Sequence, residues 1–185
     1  GMLFVTFIRP MRGSLWKEIY KYFCGCVPYF DLLLGRIDLH PEFTFGANFL
    51  NGLLAPFLYF LAMINALEVP AAFKVNGRYT NGFMAVSSDN TLMNEFGTLF
   101  FNFFLDGGWV GVVIFSALYG LLCVYVFNKY LKSKSPFWAA AYLLVCVGIF
   151  LSMVRWPYFS AEFVLAFFYL KLIYIKKFSI LKFRK

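Results

Sequence analysis

Twenty-two consecutive uncharged residues, Gly107 to Asn128 (GGWVGVVIFSALYGLLCVYVFN), constrain this chain more than any other feature. As a helix rising about 1.5 Å per residue they reach roughly 33 Å, enough to cross a hydrocarbon core of about 30 Å. Lys129, Lys132 and Lys134 follow, and basic residues beside an apolar span hold that end on the cytoplasmic side. The chain is therefore expected in a lipid bilayer. Its composition agrees: 14% of residues are charged and 62% hydrophobic, against about 25% charged in a soluble domain.

Two more spans are expected, 137–153 and 158–175. Pro136 and Pro157 open them, and proline is favoured in the first helical turn. The lysine-rich segment 128–136 and the basic tail 176–185 then share the cytoplasmic side, with a tight external turn, 154–157, between the last two spans. Trp109, Trp156 and Tyr158 fall at the outer interface, where aromatic belts form. With a first span at 108–127, the expected fold class is all-α: a polytopic integral membrane protein, a helical bundle with a large external loop of membrane-surface helices. Residues 1–8 are apolar but too short to span, and are expected to be the tail of a helix belonging to a longer protein.

The stretch before Gly107 is less regular. Phe45 to Leu67 is uncharged and long enough to cross, but it contains Asn48, Asn51 and Asn65, and amides facing lipid are costly without partners. Crossing the membrane and lying on its surface both remain open for it. Phe96 to Leu105 is too short to span and suits an interfacial or re-entrant helix. Residues 69–94, with Asn76-Gly77 and Asn81-Gly82, read as a loop.

The formal charge of +8 could suggest nucleic acid, but six of the seventeen basic residues lie in the last fifteen positions and three more in the Lys129–Lys134 segment. Basic residues flanking apolar spans set topology and touch anionic lipid, so no nucleic-acid partner is expected. Cys24, Cys26, Cys123 and Cys146 lack the spacing of a metal or redox site and read as small apolar residues.

No P-loop, His-Glu-x-x-His or Asp-x-Asp pattern occurs, so no metal or other cofactor is expected. A chain of this kind that handles a diphosphate would use fixed cations. Arginine suits that task, because its planar fork matches phosphate oxygens. The candidates are Arg36, Arg78 and Arg155, joined by Arg9 and Arg12 if the N-terminal stretch is external. Arg155, at the mouth of a two-helix turn, reads first as an interfacial anchor, and Arg78 reads equally as a solvated loop residue. His40 could act as a general acid or base or be a plain loop residue. Glu162 sits one turn inside the last span, and Lys171 reads as a residue reaching back to the interface.

The run from Asn90 to Gly111, NTLMNEFGTLFFNFFLDGGWVG, resembles the bacterial oligosaccharide repeat-unit polymerases, the O-antigen and capsule polymerase family. Members carry an aromatic-x-Asp-Phe-Gly-x-x-Gly segment entering a membrane helix. Phe104-Leu105-Asp106-Gly107-Gly108 and Gly111 occupy those places here, with Gly107 where the family usually has Phe and Gly120 as a later glycine. Phe45-Gly46-Ala47-Asn48-Phe49 is similar to an earlier Phe-Gly stretch, and Arg9 to Tyr29 to the arginine and tyrosine-rich start of the same loop. The resemblance spreads over nearly the whole chain and implies that 9–107 is one external, periplasmic-side loop. It implies a multi-pass inner-membrane glycosyltransferase with a cytoplasmic C-terminus. Such an enzyme transfers a growing glycan from undecaprenyl diphosphate onto the next lipid-linked oligosaccharide, without metal, and can work with a chain-length regulator. Arg9, Arg12, Arg36 and Arg78 would hold the diphosphate. Glu42, His40 or Asp89 would take the acceptor proton, and Arg155, Asn90 and Asp106 would contact substrate. Asp106 and its glycines could instead shape the entry from loop to helix. A lipid-linked saccharide transporter and an inactive membrane remnant are the competing readings.

Overall fold

The computed structural model describes residues 16, 23–39, 43–80, 84–85, 92–93, 97–133 and 135–182. Apart from one pair of two-residue strands, the regular structure among them is helical.

Helix α1 (Cys26–Leu39) buries Tyr29, Leu33 and Ile37, spaced four residues apart and so on one face. They pack on Phe101, Phe104 and Leu105 and on Val75. Helix α2 (Asn51–Met63) has thirteen residues, about 20 Å of helix, short of a core of about 30 Å. The stretch 45–67 is thus not one crossing helix: a turn through Phe45 and Gly46, both at positive φ, precedes α2. Asn65 ends it in the left-handed conformation (φ 56°). The Asn65 N–H donates to Ala62 and the Ala66 N–H to Leu61, the paired closure that satisfies a helix's last carbonyls.

The stretch read as a loop, 69–94, holds a 3-10 turn (Ala71–Phe73), helix α3 (Val75–Thr80) and strands β1 (Met84–Ala85) and β2 (Leu92–Met93). The strands are antiparallel, Met84 facing Met93.

Helix α4 (Thr98–Ser133) is broken at Gly107-Gly108. Gly107 is extended, whereas Gly108 (φ 62°, ψ −150°) occupies a region essentially reserved for glycine. The break reverses the chain. On a continuous helix, Phe103 and Phe115 would lie about 18 Å apart along the axis, yet their ring centroids are 5.9 Å apart. A Cβ on Gly111 would sit 2.5 Å from the Phe103 carbonyl oxygen. The arm 98–106 therefore folds back on the first turns of the arm 109–133, as a short re-entrant piece would. The Thr98 N–H donates to the Val154 carbonyl (3.0 Å), tying its far end to the turn after the next helix.

The long arm continues to Ser133, so most of the expected cytoplasmic loop 128–136 is helical. Helix α5 (Pro136–Ser152) starts at once: the Ser135 hydroxyl accepts the Phe137 N–H, and Pro136 fills the first turn. A 3-10 turn (Pro157–Phe159) leads into helix α6 (Ala161–Lys182), later than the expected start at 158. Val126, Ala141 and Val145 close the seam between α4 and α5.

Trp156 and Tyr158 do not line an outer interface. Trp156 is 3% exposed, with ring centroids of Phe103, Tyr119 and Tyr158 4.9–5.0 Å away and Phe49 stacked at 5.5 Å. Its indole N–H donates to the Phe49 carbonyl, so the ring is a packing centre with its one polar atom satisfied. Trp109 remains exposed.

Among the described residues one helix, Thr98–Ser133, is long and apolar enough to cross a membrane by length and composition. Its unbroken arm, 109–133, is about 37 Å long. Only 17% of its most apolar stretch is buried, whereas the core helix of a soluble protein is mostly buried.

Candidate functional site

Two features meet around the short arm 98–106. The first is a buried knot at Asp106, which is 2% exposed. Its Oδ1 accepts from the Thr44 hydroxyl and the Asn48 N–H (2.9 Å), and its Oδ2 from the Phe49 N–H (2.7 Å). The Asn48 side-chain amide donates to Thr44 Oγ1 (2.6 Å), and the Thr44 N–H to the Leu105 carbonyl (2.8 Å). Burial pushes the Asp106 carboxyl above the usual carboxylate range, while the bonds from Thr44, Asn48 and Phe49 pull it back. One carboxylate thus clamps the turn 44–49 to the glycine corner.

The second feature is a cleft of about 170 Å³ between the start of the short arm, α3 and the turn 155–160. Asn76, Thr98, Asn102, Arg155 and Ser160 are its polar lining, over a floor of Phe101, Trp156 and Phe159. Asn76 Nδ2 donates to Asn102 Oδ1 (2.6 Å), both residues being buried. Thr98 and Arg155 pair as a single parallel β-bridge, so the arginine is fixed to the hairpin through its backbone.

The expected residues distribute unevenly. Arg155 lines the cleft. Asp106 lies in the knot with both oxygens engaged, the loop-shaping arrangement rather than a free substrate contact. Arg36 is exposed in the last turn of α1. Arg78 lies on α3, the element that supplies Asn76 to the cleft. Arg9, Arg12, His40, Glu42, Asp89 and Asn90 lie outside the described residues, and none of the candidate acid–base groups is placed. Among the described residues no cluster of three or more His, Cys, Asp or Glu could hold a metal.

Sequence reasoning missed Thr44, Asn76 and Asn102. Asn102 carried a signal, a lone amide inside the run LFFNFFL. Thr44 carried none, since its partner is 62 positions away.

No protein-family model, curated protein or solved structure matches the chain.

Proposed function

We propose that this chain carries an external loop and the membrane helices after it in a polytopic membrane enzyme that polymerises lipid-diphosphate-linked oligosaccharide repeat units into surface polysaccharide. One observation carries the reading: the two segments that resemble the polymerase family, 45–49 and 104–108, are joined by the Asp106 knot although Asn48 and Asp106 are 58 positions apart. A pattern of sparse matching positions thereby corresponds to one physical unit at the entry to the long apolar arm.

The membrane placement draws on the exposed apolar surface. Val110, Val113 and Leu121 of the long arm, Leu143 of α5, and Leu172 and Ile173 of α6 are each more than 60% exposed. Large apolar side chains exposed on all three helices suit lipid rather than water. The arm 109–133 crosses the inner membrane, α5 returns, and α6 crosses again, leaving the C-terminus cytoplasmic. The hairpin arm 98–106 and α2 dip into or lie on the outer leaflet.

In the reaction, the acceptor hydroxyl oxygen bonds to the anomeric carbon of the growing glycan. The bond from that carbon to the diphosphate oxygen breaks, and the leaving diphosphate keeps the electron pair. Arg36 and Arg78, with Arg9 and Arg12, stabilise its developing charge, and Glu42, His40 or Asp89 takes the acceptor proton. Arg155 contacts the substrate side, as does Asn90, while Asp106 holds the corner they depend on.

Expressed in its full reading frame in cells lacking their own repeat-unit polymerase for the matching glycan, the protein is expected to restore a polysaccharide ladder. Arg36→Ala or Arg78→Ala should cut ladder synthesis by about a hundredfold while the variant still accumulates in the membrane. A well-expressed parent that yields only single-repeat products would exclude the polymerase reading.

A further inference from the structure

We propose that the cleft beside Arg155 is a binding site for a single phosphate group, carried on a lipid headgroup or free in solution. The inference deepens the polymerase reading, which places Arg155 on the substrate side, but its test reads phosphate or headgroup binding rather than ladder synthesis, so the two can fail separately.

The cleft carries positive charge without a counter-charge. Arg155 makes no ion pair, and no carboxylate lines the cleft, among the described residues. Asn102 is 6% exposed and lines the same space. Its Oδ1 is taken by Asn76, and its Nδ2 has no hydrogen-bond partner among the described residues. Lining the cleft, that amide is a donor open to a ligand. The Ser160 hydroxyl makes only a long contact, 3.4 Å, to the Pro157 carbonyl. The short arm also starts here, at Thr98, and brings the partial positive charge of a helix N-terminus.

One cation and no carboxylate among the described lining residues favour an anion. A guanidinium favours phosphate because its fork matches two oxygens at once. The aromatic floor of Phe101, Trp156 and Phe159 lowers the local dielectric and strengthens each such bond. The volume sets the size of the ligand: about 170 Å³ is below the roughly 300–1,000 Å³ of pockets that enclose whole small molecules. It suits one tetrahedral group whose remaining chain lies outside. Because 98–102, α3 and 155–160 all border the cleft, an anion held there would tie the hairpin to the turn between α5 and α6.

The test has two arms on the purified protein. In a neutral detergent, inorganic phosphate is titrated by calorimetry. In parallel, the protein is released from phosphatidylcholine nanodiscs containing phosphatidylglycerol, and retained lipid is counted by native mass spectrometry. Arg155→Gln removes the cation, and Asn102→Asp places a negative charge in the cleft at nearly unchanged size, so a fold defect in one leaves the other informative. Each is expected to weaken binding by about tenfold or more. Phosphatidylglycerol retention without a phosphate response supports the site with a lipid headgroup as ligand, and the reverse supports it with free phosphate. A protein that takes up neither, or folded variants that bind as tightly as the parent, would overturn the proposal.

Discussion

Replacing Asp106 with alanine is expected to lower the unfolding free energy by about 2–5 kcal/mol, because each buried donor left unpaired costs about 1–3 kcal/mol. Its carboxylate serves the Thr44 hydroxyl and the backbone N–H groups of Asn48 and Phe49. Thr44 can turn to the Leu105 carbonyl, 3.3 Å from its hydroxyl. The two backbone groups have no such second acceptor, so they set the size of the loss. Asp106→Asn should fare little better, since its amide would turn a donor toward at least one of the N–H groups. Thr44→Val should lose about 1–3 kcal/mol, because the hydroxyl both donates to Asp106 and accepts from the buried Asn48 amide. Thermal unfolding in detergent, followed by tryptophan fluorescence, is the measurement. An Asp106→Ala protein that melts like its parent would show that the knot does not hold the hairpin.

Gly52→Ala is the second large effect. A Cβ there would lie 2.2 Å from the Tyr158 carbonyl oxygen, 2.7 Å from that of Ser160 and 2.9 Å from Val164 Cγ2. Two of these atoms are backbone and cannot rotate aside. Helix α2 would have to lift off the start of α6, which would break the bond from Asn51 Nδ2 to the Phe159 carbonyl (2.9 Å). Alanine gains about 1 kcal/mol of helix propensity over glycine, whereas forced overpacking costs about 1–3 kcal/mol or more, and more when only backbone can yield. The clash is expected to win. Gly35→Ala on α1 is the control: it is exposed, with nothing within 4 Å of the added carbon. There propensity acts alone, and stability should rise by up to about 1 kcal/mol. A loss at Gly52 and a smaller gain at Gly35 would fit this account, whereas a gain at both would mean that α2 and α6 do not pack as closely as described.

Local signals carried part of this fold. The start of α5 was legible from Pro136, a first-turn proline ahead of an apolar run, whereas the end of α4 was not: the helix runs through Lys129 and Lys132 to Ser133, where a loop was expected. The failure of 45–67 to be one helix was foreshadowed by its amides, but their meaning was not. Read as a burden in lipid, Asn48 and Asn51 each have a partner, Thr44 and the Phe159 carbonyl, supplied by chain reversal. The double glycine at 107–108 marked a special backbone, yet nothing local indicates that the chain folds back there. That follows from Phe103 meeting Phe115 and Trp156, contacts made only in the assembled structure. Trp156 was misplaced for a related reason: an aromatic beside a turn looks the same in sequence whether it faces an interface or fills a core. Of the candidate site, Arg155 was legible as a cation at a helix turn. The amide pair that completes its cleft was not, because Asn76 and Asn102 meet only when α3 docks on the short arm.

Every functional step rests on the hairpin corner and the loop before it facing outward, with the lysine end of the long arm inside. The decisive measurement is cysteine labelling of intact cells by an impermeant maleimide, with Cys24, Cys26, Cys123 and Cys146 replaced. Ser87→Cys and Ser133→Cys are compared as single variants. Labelling of the first in intact cells, and of the second only after the membrane is permeabilised, is the predicted result. Labelling of both in intact cells, or of Ser133→Cys alone, would contradict the account.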